Sequence, residues 1–281
     1  MRYFPPALII VCLLLNACAS SGSRIEAVAT TPAANAPLPD AGAMIERMIT
    51  QGGCRDFTAE MRLTAEDEQG KRDQVEFRIQ RKYSPDRAST FLAVTAPREE
   101  TGKALLAIEL ADQPTQAFSY LAGLKRLTRI NSDRQLSFRG AKVTVQEMLG
   151  MELNQYAHSA GERASADGLP LIKIEFKAKE FFNLAFPRII GFFREKDQQP
   201  AKFELYDSRD ELQKSVKIEE VASVQGRQTI TRLAIEDLQQ KLKVRVETRR
   251  IEYDRGLPDR IFTEKYLKDF VSDAVRKLDQ Q

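Results

Sequence analysis

The sequence predicts a mainly β protein with short helices, and three observations predict it. Phe57, Ala59, Met61 and Leu63 alternate with Thr58, Glu60, Arg62 and Thr64, and Leu242, Val244 and Val246 alternate with Lys243, Arg245 and Glu247. That period of two belongs to strands with one buried face. Turn compositions such as Glu66–Gly70, Ser84-Pro85-Asp86, Asp112-Gln113-Pro114 and Asp207–Glu211 punctuate the apolar runs, as expected of antiparallel hairpins. No composition break divides Asp40 from Leu278, so one body is expected. Roughly ten strands fit in it, and a sheet of that size twists, curls and must protect its edges.

Composition excludes several function classes. The 281 residues carry 43 Lys and Arg against 40 Asp and Glu, a net charge of +3. Cleavage before Cys18 would remove Arg2 and leave about +2, far from the footprint of a nucleic-acid binder. Three cysteines, Cys12, Cys18 and Cys54, form no disulfide framework, and the single histidine, His158, supplies no multi-histidine metal site. No Gly-x-Ser-x-Gly elbow, phosphate loop or dinucleotide fingerprint is present. The adjacent pairs Glu99-Glu100 and Glu219-Glu220 read as solvated positions, not as a glycosidase pair. Neither enzyme chemistry nor a cofactor is expected.

The amino terminus reads as a leader. Arg2 precedes the apolar run Ala7–Leu15, which is shorter than the ~20 residues of a spanning helix. Leu15-Asn16-Ala17-Cys18 resembles a bacterial lipobox, which makes residues 1–17 a lipoprotein signal peptide and Cys18 the site of lipid attachment, with palmitate-type acylation of its freed amine. Buried methylenes contribute about 0.8 kcal/mol each, so two or more chains anchor stably. An ordinary secretory leader with an incidental cysteine is the competing reading. Ala19-Ser20 lack the aspartate that marks inner-membrane retention in enterobacterial-type lipoproteins, which points to the outer membrane. Residues 18–39 are small, polar and proline-bearing and read as a flexible tether, and residues 40–281 as the folded domain. Some 20 extended residues reach roughly 70 Å.

In chain order, Asp40–Thr50 is a helix, capped by Asp40 and with Met44, Ile45, Met48 and Ile49 on one face. Gly52-Gly53 ends it. Cys54 precedes the first strand and reads as a structural thiol. Val75, Phe77 and Ile79 mark a second strand, Ala88–Thr95 a third. Ala104–Leu110, Gln116–Leu121 and Leu124–Ile130 form a meander. Ser137–Gly140 reads as a turn, Val143–Leu149 as a short helix or irregular segment, and Ala160–Gly168 as a loop. Leu171, Ile174 and Phe176 lie on a further strand. The greasy run Phe181–Phe193 is interrupted by Pro187 and Arg188; it reads as a hydrophobic strand or a wall that touches acyl chains. Lys202–Tyr206, Val216–Val224, Thr229–Ile235 and Leu242–Glu247 continue the sheet. Arg260–Leu267 reads as a short helical segment, and Phe270, Val271 and Val275 as a frayed terminal helix.

The stretch Thr101–Gly140 carries the most residue-level information. Phe118, Tyr120 and Leu121 adjoin Gly123-Leu124, and Lys125, Arg126 and Arg129 intersperse with Leu127 and Ile130. One face of this last strand is expected to be basic and the other apolar. A solvated strand face competes with a surface that meets anionic head groups or a partner.

The order of these short motifs resembles the outer-membrane lipoprotein-sorting superfamily with the lipoprotein-carrier fold, in particular its lipid-anchored branch. The likeness lies in Gly102-Lys103-Ala104-Leu105-Leu106, Tyr120-Leu121, Leu124-Lys125-Arg126, Arg129-Ile130 and Phe138-Arg139-Gly140, with Phe262 and Leu267 at the end. Ala122 stands where the family usually has proline, and Ala141–Val145 replaces its acidic-aromatic segment. The resemblance implies a strongly curved antiparallel sheet or half-barrel, closed over by short helices around an apolar cavity suited to acyl chains. Under it, Phe118, Tyr120, Leu121, Leu127, Ile130, Phe182, Phe186 and Phe192 are the ligand-binding candidates, with Lys125, Arg126 and Arg129 as a polar rim for phosphate or carboxylate.

Two functions follow as expectations. The first is a lipid-anchored protein of the outer membrane, facing the periplasm, that binds or transfers lipid or the acyl chains of a lipoprotein without covalent chemistry. The second is a structural or adaptor lipoprotein of an envelope export complex, with no transported ligand; the resemblance suggests a lipid-exporting permease as partner.

Overall fold

A computed structural model describes residues 37–50, 54–110, 113, 115–121, 124–130, 135–138, 141–144, 155–166, 168–180, 182 and 184–279. Helix α1 spans Ala41–Thr50, and the Asp40 carboxylate caps it by accepting from the Ala43 N–H at 2.7 Å. Sixteen described strands follow: β1 (Asp56–Glu66), β2 (Arg72–Ser84), β3 (Arg87–Ala96), β4 (Ala104–Leu110), β5 (Gln116–Leu121), β6 (Arg126–Ile130), β7 (Gln135–Phe138), β8 (Ala141–Thr144), β9 (Tyr156–His158), β10 (Glu162–Ala166), β11 (Leu169–Ala178), β12 (Arg188–Arg194), β13 (Pro200–Tyr206), β14 (Leu212–Val224), β15 (Arg227–Asp237) and β16 (Leu242–Tyr253). Helix α2, Glu264–Asp279, ends the chain's described part.

Fourteen strands form one antiparallel sheet, ordered β10-β11-β12-β13-β14-β15-β16-β1-β2-β3-β4-β5-β6, with β9 also on β11; β7 and β8 pair separately. The chain closes the middle of the sheet by pairing β1 with β16, Phe57 opposite Tyr253 and Glu66 opposite Lys243. Hairpins then run outward on both sides.

One face carries the main core. Phe57, Ala59, Met61 and Leu63 of β1 join Val75, Phe77 and Ile79 of β2 there, and Ala41, Met44 and Ile45 of α1 pack on it. Bulges keep long strands facing the same way. Val244 and Val246 are even-numbered and Ile251 and Tyr253 odd-numbered, yet all four lie in this core. The register skips Arg249, between Glu60 opposite Arg250 and Met61 opposite Thr248. In β14 the skip at Glu219 does the same between Ile218 and Val221.

Strands β3 to β5 are buried on both faces. Leu92, Val94, Leu105, Ala107 and Ala117 belong to the main core, while the alternate residues Phe91, Ala93, Leu106 and Phe118 face a second cluster under α2. This is why STFLAV and ALLAIEL read as unbroken apolar runs, whereas β1 alternates cleanly. The chain reaches that second face through Asp254–Leu257. Buried Asp56 organises the crossing, its carboxylate accepting from the N–H groups of Arg255 (2.9 Å), Gly256 (3.0 Å) and Leu257 (3.2 Å). Gly256 takes a φ of 71°, open to glycine at no steric cost. Lys82 ties the same segment down by donating to the Leu257 carbonyl and the Asp259 carboxylate.

The topology corrects the expected strongly curved sheet or half-barrel around an apolar cavity. The sheet is an open path whose ends, β10 and β6, do not pair with each other. A barrel needs tilt and stagger matched right around the ring. Here the ends are managed without closure: β10 is short, charged and largely exposed, a common way to blunt an edge, and the face of the other end is covered by α2. Further differences are local. The Ala160–Gly168 loop contains β10, because ERASA is exposed and carries no apolar alternation. Ser137 and Phe138 lie on β7, and Val143 lies on β8; residues 145–149 fall outside the described residues. Phe182 and Leu184–Pro187 are irregular, with β12 beginning only at Arg188. The terminal helix is one continuous element of 16 residues.

Candidate functional site

The region of interest is the β5–β6 end of the sheet and the helix laid over it. Helix α2 is amphipathic because Tyr266, Leu267, Phe270, Val271 and Val275 recur at helical spacing. Leu267 and Val271 are buried against Phe91 and Leu106. Phe91 meets Tyr266 edge-on at 5.1 Å between ring centroids and Phe270 at 5.3 Å, favourable quadrupolar geometries. At Gly102, φ is 95° and an added Cβ would stand 3.1 Å from Ala274 Cβ, so glycine lets the strand connection seat the helix closely. Beside this contact runs a cleft of about 660 Å³, lined by Thr95, Arg98, Thr101, Tyr266, Asp269, Phe270, Asp273, Ala274 and Lys277.

The structure distributes the sequence-derived candidates over both sides of the sheet. Phe118, Tyr120 and Leu127 are half-buried in the cluster beneath α2. Ile130 points the other way, into the main core. Phe186 is buried in that core too, and its carbonyl accepts from the Tyr156 hydroxyl at 3.0 Å. Phe182 is half-buried in the irregular segment before β12. Phe192 alternates with buried Phe193 and so faces outward, with Lys202 Nζ 5.7 Å from its ring centre. Leu121 lies at the end of β5, opposite Arg126. Cys18 lies outside the described residues.

The polar rim is also divided. Lys125 sits in the turn before β6 at a φ of 48°. Arg126 shares a side of β6 with Ile130, while Arg129 shares the other with Leu127 and stands opposite Phe118. The expected single basic face is therefore two cations on opposite sides, because 126 and 129 differ by an odd number in a period of two. All three side chains are exposed, and among the described residues none of them makes an ion pair. Leu124, just before them, is 71% exposed.

The outer face of the central strands behaves differently. Arg62 and Arg249 share Glu76 at 2.8 and 3.0 Å, Arg78 meets Glu60 at 3.1 Å, and Arg232 meets Glu219 and Glu220 at 3.2 and 2.9 Å. Cross-strand pairs of opposite charge suit a solvated face. On the core side two ion pairs are buried, Arg81 with Glu109 at 2.7 Å and Lys214 with Asp237 at 3.6 Å. Breaking such pairs costs more than they contribute; they close the ends of the apolar face. Near β12, the hydrogen bond from Arg188 to Asp210 raises the guanidinium pKa, and Arg188 covers the Tyr206 ring at 3.8 Å.

Cys54 is buried at the edge of the main core, and exposed His158 places Nδ1 3.2 Å from the Ser159 carbonyl. Among the described residues no group of His, Cys, Asp and Glu is placed to hold a metal ion, and no helix is long and apolar enough to cross a membrane. Sequence reasoning missed Leu124 as an exposed residue and the whole α2 cleft. The available signal was the i, i+4 aromatic pair Tyr266 and Phe270.

A family model described as that of an uncharacterized protein matches residues 86–269. No curated protein matches the chain. Among solved structures, a DUF1329 family protein from Desulfovibrio piger is 18% identical, with 80% of this chain and 96% of the other covered and a TM-score of 0.73. A structure described as an outer membrane lipoprotein-sorting protein domain from Vibrio parahaemolyticus is 19% identical, covering 76% and 92%, at a TM-score of 0.68. A LolA superfamily protein from Nitrosomonas europaea is 17% identical, covering 81% and 99%, also at 0.68. The shared property at these identities is the fold: the chain is similar in architecture to lipoprotein-sorting proteins.

Proposed function

The chain belongs to the family of uncharacterized proteins matched over residues 86–269, and on that footing we propose that it is a lipid-anchored envelope protein that holds a protein partner as a structural or adaptor component of an export complex. Residues 1–17 are its signal peptide, Cys18 carries the lipid, residues 18–39 are the tether and residues 40–281 the domain, which faces the periplasm from the outer membrane. The lipobox-like Leu15–Cys18 and the names of the fold's relatives support this placement.

One observation carries the adaptor reading over lipid transfer. The residues best suited to acyl chains are spent on packing: Phe118, Tyr120 and Leu127 beneath α2, Ile130 and Phe186 in the main core. Lys125, Arg126 and Arg129, on and just before β6, are instead exposed and, among the described residues, without an ion pair, and a cluster of such cations suits a partner.

Native purification in mild detergent followed by mass analysis tests the reading. A protein partner in fixed ratio, with no defined lipid other than the anchor, is expected; Cys18→Ser should lose the anchor mass and membrane attachment. A defined lipid bound one to one, in the absence of any protein, would overturn it.

A further inference from the structure

We infer that β6 is a docking strand for an extended acidic segment of the partner protein, one that adds to the sheet edge and presents carboxylates three residues apart. This rests on the adaptor reading and specifies its contact surface. Strand β6 ends the described sheet: it pairs with β5 alone among the described strands, and an edge strand offers its outward N–H and C=O groups as a template. It lacks the device that blunts the opposite edge, where Glu162 meets Lys173 and Arg163 meets Glu195 within and beside β10. Lys125, Arg126 and Arg129 are exposed and, among the described residues, without an ion pair, while at the centre of the sheet each arginine of β1, β2 and β16 has a carboxylate partner within reach.

The register sets the partner's pattern. Arg126 projects on the main-core side and Arg129 on the α2 side. A strand laid along β6 places one residue opposite each, so its carboxylates are three apart and point to opposite faces. Exposed Leu124 and the turn cation Lys125 lie at the end of that track, where an apolar residue and a further carboxylate would meet them.

The same geometry argues against other occupants. A membrane surface is flat and supplies no backbone ladder, so it cannot meet Arg126 and Arg129 on opposite faces together. A second copy pairing through β6 would bring further cations to the edge and no carboxylate to meet them. The chain's own tether, residues 19–39, carries a single acid, Glu26.

Full-length lipoprotein in detergent, titrated with labelled Thr/Ser/Val peptides of about ten residues, tests the assignment. Two peptides of equal composition carry glutamates either three or two residues apart; a third is neutral; vesicles with and without anionic lipid complete the set. The three-apart peptide should bind tightest and lose affinity as salt rises. The double variant Arg126→Glu, Arg129→Glu should lower that affinity by about tenfold, with an unchanged thermal unfolding curve showing that the fold survives. Equal binding of all three peptides, binding insensitive to the double variant, or cation-dependent binding to anionic vesicles alone would overturn it. Persistence of the native complex in the double variant would overturn the edge assignment while leaving the adaptor reading in place; recovery of a defined lipid without protein would remove the adaptor reading itself.

Discussion

The outer face of β16-β1-β2 and the outer face of β3-β4-β5 belong to one sheet, yet they meet water in opposite ways. The first keeps its solvent side and covers it with paired charges, Arg62, Arg78 and Arg249 against Glu60 and Glu76. The second gives up its solvent side to Phe91, Leu106 and Phe118 and needs α2 to cover them. The difference teaches that a strand face is either given charge partners or covered, and that β6, at the end of the covered region, does so only in part: Leu127 lies under α2 and Ile130 in the main core, while Arg126 and Arg129 are exposed and, among the described residues, without an ion pair.

Truncating the aromatic centre of the covered region should break the comparison most severely. Phe91→Ala removes two edge-on ring contacts and a buried side chain, and should destabilise the fold by about 4 kcal/mol in urea unfolding. A cost near that of a surface variant would mean that α2 is not integral to the fold. Asp56→Ala comes next, because three backbone donors lose their acceptor; about 2–3 kcal/mol is expected, with amide exchange rising first across Arg255–Leu257 and α2. Uniform exchange throughout the sheet would contradict its role at the crossing. On the central face, Arg78→Ala should change stability by about 0.5 kcal/mol or less, since both partners are half in water; a loss several times larger would erase the contrast between the two faces.

The smallest effect is a pH dependence of the crossing. The hydrogen bond from Lys82 lowers the Asp259 carboxyl pKa below its ordinary value, and the cation's charge adds to it. A depressed folded pKa means stabilisation that is present above the unfolded carboxylate value and lost as pH falls through the lower folded value. Amide protection at the start of α2 should therefore fall between those two values in the native protein, and the step should vanish in Lys82→Met. An identical step in that variant would assign the titration to another group.

Much of the fold is legible in the residues. Strand β1 follows from alternation alone, and Asp40 announces the cap of α1. Short strands are not legible where no face is buried: β10 is ERASA, exposed almost throughout, and only its pairing with β11 makes it a strand. The candidate site was legible as composition and not as geometry. Lys125, Arg126 and Arg129 stand out in the sequence, but composition does not show that a step of three separates the two arginines across the sheet. The aromatic residues near them suit a ligand wall by composition, because sequence shows the rings of Phe118 and Tyr120 without showing that α2, more than a hundred residues later, covers them.

By itself the sequence determined the class of the protein: a mainly β chain of alternating hairpins, preceded by a short helix with its own cap. These depend on local periods and short-range composition. Only the tertiary structure decided that the described sheet is an open path, that bulges at Glu219 and Arg249 keep long strands turned toward one core, and that β6 stands at the end of the described strands. Those outcomes depend on which distant strands pair and on which face a helix returns to, and such contacts are set by burial summed over the whole chain, not by any one stretch of it.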